Sequence, residues 1–160
     1  MKQKDHLPLM GVGPIYVCGI ITLTIIGIVL KHFKVIKSGT VDFLKIPFFI
    51  VGIVLIIVGL LFWYKALFQS KVDENIRSNT LMTTGVYSYV RNPIYSAFMM
   101  ICTGVLFCVN NLWLLILPFI YWFFMTILMK NTEEKWLKEL YKEKYLDYCK
   151  RVNRCIPWFH

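Results

Sequence analysis

Between Ile46 and Tyr64 the chain runs through nineteen residues without a single charge. A stretch of that length and character fits one environment. It matches the roughly 20 residues that carry an α-helix across about 30 Å of hydrocarbon, where a helix satisfies its own backbone hydrogen bonds and an open strand does not. Extended to residue 68, this run predicts a membrane-spanning helix. Gly52 and Gly59 fall two turns apart on one face of it, where a second helix can come close.

Three further apolar segments, at about 12–30, 93–109 and 112–129, share this character. The first, Pro14 to Leu30, reads as a retained helix, because it is long and no small-residue cleavage site follows it. The last two are slightly short and are separated only by Asn110-Asn111, which predicts a tight antiparallel hairpin, with Pro118 expected to kink the final helix. The sequence therefore predicts an all-α, polytopic membrane protein with about four transmembrane helices. It is read as one membrane-embedded domain over 1–160, with the first two spans in 12–68 and the motif-bearing region in 80–158. A hydrophobic content of 58% agrees with that class.

The formal net charge of +9 raises the question of nucleic acid, but only 17% of residues are charged and most basic ones lie outside the apolar runs. The charge reads as topology, with no nucleic-acid partner. With four spans, the amino terminus, the loop of about 65–92 and the carboxyl-terminal tail share one face. That face carries fourteen Lys and Arg residues, against Lys31, Lys34, Lys37 and Lys45 on the other. Both termini are accordingly expected to be cytoplasmic. The five cysteines form no C-x-x-C pair, and His6, His32 and His160 are scattered, so no metal is assigned.

Two segments interrupt the apolar pattern. Gln69 to Asn92 is polar and ends in Gly85-Val86-Tyr87-Ser88-Tyr89-Val90-Arg91-Asn92-Pro93-Ile94-Tyr95, with Gly85 suited to a turn of positive dihedral. Asn131 to Lys150 reads as one amphipathic helix, with Asn131 as cap and Glu134 completing a capping box. Along it Leu137, Tyr141, Tyr145, Tyr148 and Val152 form an apolar, hydroxyl-tipped stripe, while its basic residues suit anionic headgroups.

The run G-V-Y-S-Y-V-R-N-P-I-Y, a helical hairpin, then E-E-K-W-L and Y-x-x-Y-x-x-x-V-x-R-x-I-P, resembles the isoprenylcysteine carboxyl methyltransferase and phospholipid methyltransferase group over about residues 80–158. The resemblance implies an integral membrane enzyme that uses S-adenosylmethionine without a Rossmann-like fold, most like a carboxyl O-methyltransferase. It implies a lipophilic or small-molecule methyl acceptor reached from the bilayer, with membrane lipids as surroundings. Amine N-methylation of a phospholipid or S-methylation of a thiol stay open within that class. Outside it stand an NADPH-dependent, sterol-reductase-like enzyme and a non-enzymatic interaction protein.

Carried over by position, Arg91, Asn92, Pro93 and Tyr95 fall on the arginine-proline signature, Tyr89 on the turn before it, and Glu133 and Glu134 on the glutamate pair. Together with Tyr145 these are the expected cofactor-binding residues. Glu134, Tyr148 and Arg151 are the expected catalytic ones; Arg151 is suited to hold an anionic substrate group, and Arg154 is a weaker candidate for that role. Asn92 and Ala97 depart from the family's histidine and glycine, and an amide hydrogen-bonds but does not titrate. The whole expectation requires Arg91 and Glu134 to meet at one end of the bundle, beside a cavity.

Overall fold

The computed structural model describes residues 11–69 and 80–157. Four apolar helices form the body: α1 (Gly13–His32), α2 (Lys45–Tyr64), α3 (Pro93–Val109) and α4 (Leu117–Asn131). Two short amphipathic helices follow, α5 (Glu133–Tyr141) and α6 (Glu143–Arg151). Among the described residues there is no strand, only an isolated parallel bridge between Val90 and Asn153. With the turns flanking them, α1, α2 and α4 are each long and apolar enough to cross a bilayer, while α3 is an apolar helix of 17 residues.

α3 is the central post. Its Ala97, Met99, Cys102 and Leu106 are buried, as are Tyr16 and Ile20 of α1 and Tyr121, Met125 and Met129 of α4. α2 is held differently, because Gly52 and Gly59 are its buried residues and most of its surface faces outward. A Cβ added at Gly52 would lie 2.6 Å from the Gly104 carbonyl oxygen, and one at Gly59 would lie 2.8 Å from that of Ala97. Backbone therefore rests on backbone along this seam, as the spacing of the two glycines predicts.

Between α3 and α4 the chain reverses as expected: Asn110 takes the left-handed conformation, and the Asn111 side chain accepts the Trp113 amide at 3.0 Å. Lys31 at the end of α1 donates its ammonium to the Val109 carbonyl at 2.5 Å, and Asn110 donates to Val41 at 3.2 Å, which ties three connections together at this end of the bundle. The start of α1, the loop before α3 and the tail meet at the opposite end.

Three expectations need correction. Pro118 lies in the first turn of α4, where no hydrogen bond is lost, so it introduces no kink. Asn131 closes α4 and caps nothing; Thr132 precedes α5, and Glu134 makes ion pairs where a capping box was expected. The single tail helix is two, broken at Lys142, whose backbone adopts φ 47° and ψ −124°. The aromatic stripe survives the break, since Tyr145, Tyr148 and Val152 cluster with Leu137 and Tyr141.

Candidate active site

The site is assembled where two distant stretches of chain are stitched by backbone. Gly85, at φ 62°, opens a 3-10 turn over Gly85–Ser88, which buries Val86 and leads to buried Val90. There the chain runs parallel to the end of the tail. The Arg91 amide donates to the Asn153 carbonyl at 2.8 Å and the Asn92 amide to that of Arg154 at 3.1 Å. Asn92 adds its side-chain amide to the same Arg154 carbonyl at 3.1 Å. An amide at position 92 thus serves the seam itself, a role that needs no titratable group.

The same stitch brings charges together. Glu134, 4% exposed, accepts Arg154 through Nε at 2.6 Å and Nη2 at 3.2 Å, and pairs with Arg91 Nη1 at 3.3 Å. Burial pushes its carboxyl up, but the Arg154 hydrogen bonds and the charges of Arg91, Arg154 and Lys138 outweigh this and hold it below the usual carboxylate range. Arg91 Nη1 also reaches Cys149 Sγ at 2.7 Å and the Tyr145 hydroxyl at 3.4 Å, while its buried Nε has no hydrogen-bond partner among the described residues.

Glu133 faces the other way. Its Oε1 accepts the Tyr95 hydroxyl at 2.7 Å and the Val12 amide at 3.0 Å, joining α3, α5 and the start of α1. Burial pushes its carboxyl above the ordinary range, against the pull of those two bonds. Gly13 lets the Tyr95 ring lie flush with α1, since a Cβ there would come within 2.8 Å of it.

Between these groups lies a cavity of about 480 Å³, inside the range of small-molecule sites. Its wall combines Gly13, Pro14 and Val17 of α1, Leu81 and Met82 of the loop, and Arg91, Asn92, Pro93 and Tyr95 around the start of α3. Glu133, Trp136 and Leu137 of α5 close it, with Tyr87, Tyr141, Tyr145 and Tyr148. The Tyr148 hydroxyl donates to the Tyr87 carbonyl, which fixes the stripe against the loop. Burial pushes the Tyr87 phenol up to about 12, aided by the Glu133 charge, and burial raises Tyr145 and Tyr148 as well, so all three stay neutral.

Of the residues singled out from sequence, Arg91, Asn92, Pro93, Tyr95, Glu133, Tyr145 and Tyr148 line this cavity. Glu134 sits behind it, gripping Arg91. Tyr89 is 57% exposed and outside the wall. Arg151 is exposed on the outer side of α6, with its Nε 3.4 Å from the Asp147 carbonyl; Arg154 occupies the half-buried position beside the acid. Sequence reasoning passed over Trp136 and the contribution of α1. The Gly11-Val12-Gly13-Pro14 stretch carried a faint signal, glycines beside a helix start.

The family model described as phospholipid methyltransferase matches residues 46–144. A protein-S-isoprenylcysteine O-methyltransferase of Saccharomyces cerevisiae is 36% identical over 81 residues, which span 50% of this chain and 34% of that relative. The match thus covers about a third of the relative's length. No solved structure matches the chain.

Proposed function

Since the chain belongs to the phospholipid methyltransferase family, we propose that it is an S-adenosylmethionine-dependent methyltransferase working at the membrane surface, with the 480 Å³ cavity as cofactor site. One observation carries this reading: Arg91, on the wall of the cavity, pairs at 3.3 Å with Glu134 just behind it, so residues of the two motifs that the resemblance joins lie side by side at one cavity.

The residues fit the group. Arg91, Glu134 and Arg154 together hold one positive charge in excess, presented to the cavity through Arg91. Glu133 contributes one negative charge, and its Oε2 makes none of the hydrogen bonds that hold the side chain in place. An arginine and a carboxylate on one wall suit the α-carboxylate and α-ammonium of an amino acid. The aromatic remainder suits an adenine and an apolar acceptor.

Bound there, S-adenosylmethionine supplies a methyl group on a cationic sulfur, open to in-line displacement. The protein's part is then positioning and exclusion of water. The stripe Tyr141–Tyr145–Tyr148 and Trp136 wall the site on one side, and the first turns of the apolar helices α1 and α3 wall it on another. A lipophilic acceptor then enters laterally from the bilayer, between these helices. Carboxyl O-methylation is the leading reaction, because the relative named above is by name an O-methyltransferase and a carboxylate nucleophile needs no base. The amino and carboxyl ends of the described chain lie at this site's end of the bundle, which the charge distribution assigns to the cytoplasm.

The test is incubation of the purified protein with methyl-labelled cofactor and a panel of prenylcysteine analogues, amine lipids, fatty acids and thiols. Label is expected in a prenylcysteine-like carboxylate. Transfer to none of the panel, with no cofactor-dependent rise in thermal stability, would refute the assignment.

A further inference from the structure

The charges on the cavity wall leave one part of the cofactor without a partner. Among the described lining residues there is one carboxylate, Glu133, and one guanidinium, Arg91. In the reading above, on which this inference rests, both are engaged by the amino-acid end of the ligand. The sulfonium is a third charge, in a space walled mainly by apolar atoms, and no second carboxylate faces it.

What does face it is aromatic. Tyr87, Tyr95, Trp136, Tyr141, Tyr145 and Tyr148 all line the cavity, six rings around one space. Tyr95 donates its hydroxyl to Glu133, Tyr148 to the Tyr87 carbonyl, and the Tyr145 hydroxyl accepts Arg91. These three hydroxyls are tied into the wall, so ring carbon is what they offer a ligand. Tyr145 and Tyr148 stand edge to face, with centroids 6.3 Å apart. Neutral rings carry negative faces that attract an onium ion, most strongly where water is excluded.

We propose that the aromatic wall, with Trp136 and Tyr141 as the two rings that α5 adds to it, recognises the positive charge of the sulfonium and so discriminates the methyl donor from its neutral product. When the methyl leaves, the electron pair of the broken carbon–sulfur bond stays on sulfur, and the ligand becomes a thioether with one positive charge fewer. The attraction ends with the reaction. Charge, more than shape, then decides which form the site retains.

The experiment is calorimetric binding to the purified full chain in detergent, with three probes: S-adenosylmethionine, its analogue bearing an amine-substituted carbon in place of the sulfonium (sinefungin), and S-adenosylhomocysteine. The two cations are expected to bind at least about tenfold more tightly than the thioether, as two good cation–π contacts would give. Trp136→Leu and Tyr141→Leu should reduce that ratio at least about threefold each, a readout in which any loss of packing common to the cations and the thioether cancels. Trp136→Phe and Tyr141→Phe, which keep a ring, should preserve most of it. Equal affinity for all three probes in the unsubstituted protein would overturn the inference with the cofactor site intact. So would loss of discrimination in Glu133→Gln but in neither leucine variant, which would give the sulfonium to the carboxylate. Binding of none of the probes would instead overturn the cofactor site itself.

Discussion

Replacing Glu134 by glutamine should loosen the cavity end of the molecule, and the size of the effect can be worked from the contacts. The carboxylate accepts two bonds from Arg154 and an ion pair from Arg91 with its side chain almost fully enclosed. An amide retains one acceptor but no charge. Each charge-assisted bond exceeds a neutral one by roughly 1 to 1.5 kcal/mol, and two largely enclosed guanidiniums lose the anion they share, where truncating one partner of a fully buried pair costs about 3–5 kcal/mol. A loss of about 3 kcal/mol is expected, and in a chain of 160 residues that lowers Tm by about 6–12 °C. The assay is thermal unfolding in detergent, repeated for Arg154→Met and the double variant; the double should cost about 1–3 kcal/mol less than the sum of the singles. The pH dependence has a fixed sign. Because the folded carboxyl lies below its ordinary range, its stabilisation is complete above the unfolded value and fades as pH falls through the folded one. Glu134→Gln should lack that acid-side component. A Tm drop under 2 °C, or full additivity with Arg154→Met, would refute the ion-pair argument.

Two other substitutions separate binding from folding. Glu133→Gln keeps an Oε1 acceptor for Tyr95 and Val12, and removes a carboxyl whose raised pKa makes its charged form unfavourable in the fold as pH rises. Tm at pH 8 should therefore hold or rise slightly while cofactor affinity, measured by calorimetry, falls about tenfold, the worth of one charged contact of roughly 1.4 kcal/mol. Lys142→Gly should raise stability by about 1 kcal/mol in denaturant unfolding, since φ 47° with ψ −124° suits glycine and strains a residue with a Cβ.

How far the sequence reveals this molecule depends on whether the signal is local. The uncharged run of α2, its paired glycines and the Asn110-Asn111 reversal are legible because each is dictated by residues within a few positions of one another. The break at Lys142 was hidden for a physical reason: the stripe Leu137, Tyr141, Tyr145, Tyr148 keeps helical spacing across it, so periodicity gives no warning. The difference between Arg151 and Arg154 likewise depends on the chain leaving the helix directly after Arg151. Once Val152 leaves the helix, Asn153 and Arg154 run beside Val90 and Arg91, which points Arg154 inward toward Glu134. That pairing spans about 60 residues and no local pattern encodes it. The share of the cavity contributed by α1 is similarly remote, since Val12 reaches Glu133 across 121 positions.

Arg91 belongs to two structures at once. Its amide holds the tail through Asn153 while its guanidinium forms part of the cavity and grips the acid at the start of α5. Whatever fills the cavity must therefore also fasten the carboxyl-terminal helices to the bundle, and whatever frees those helices must empty the cavity. Saturating ligand should slow trypsin at the exposed lysines of α5 and α6 in proportion to occupancy, so digestion of the tail becomes a direct gauge of how full the site is.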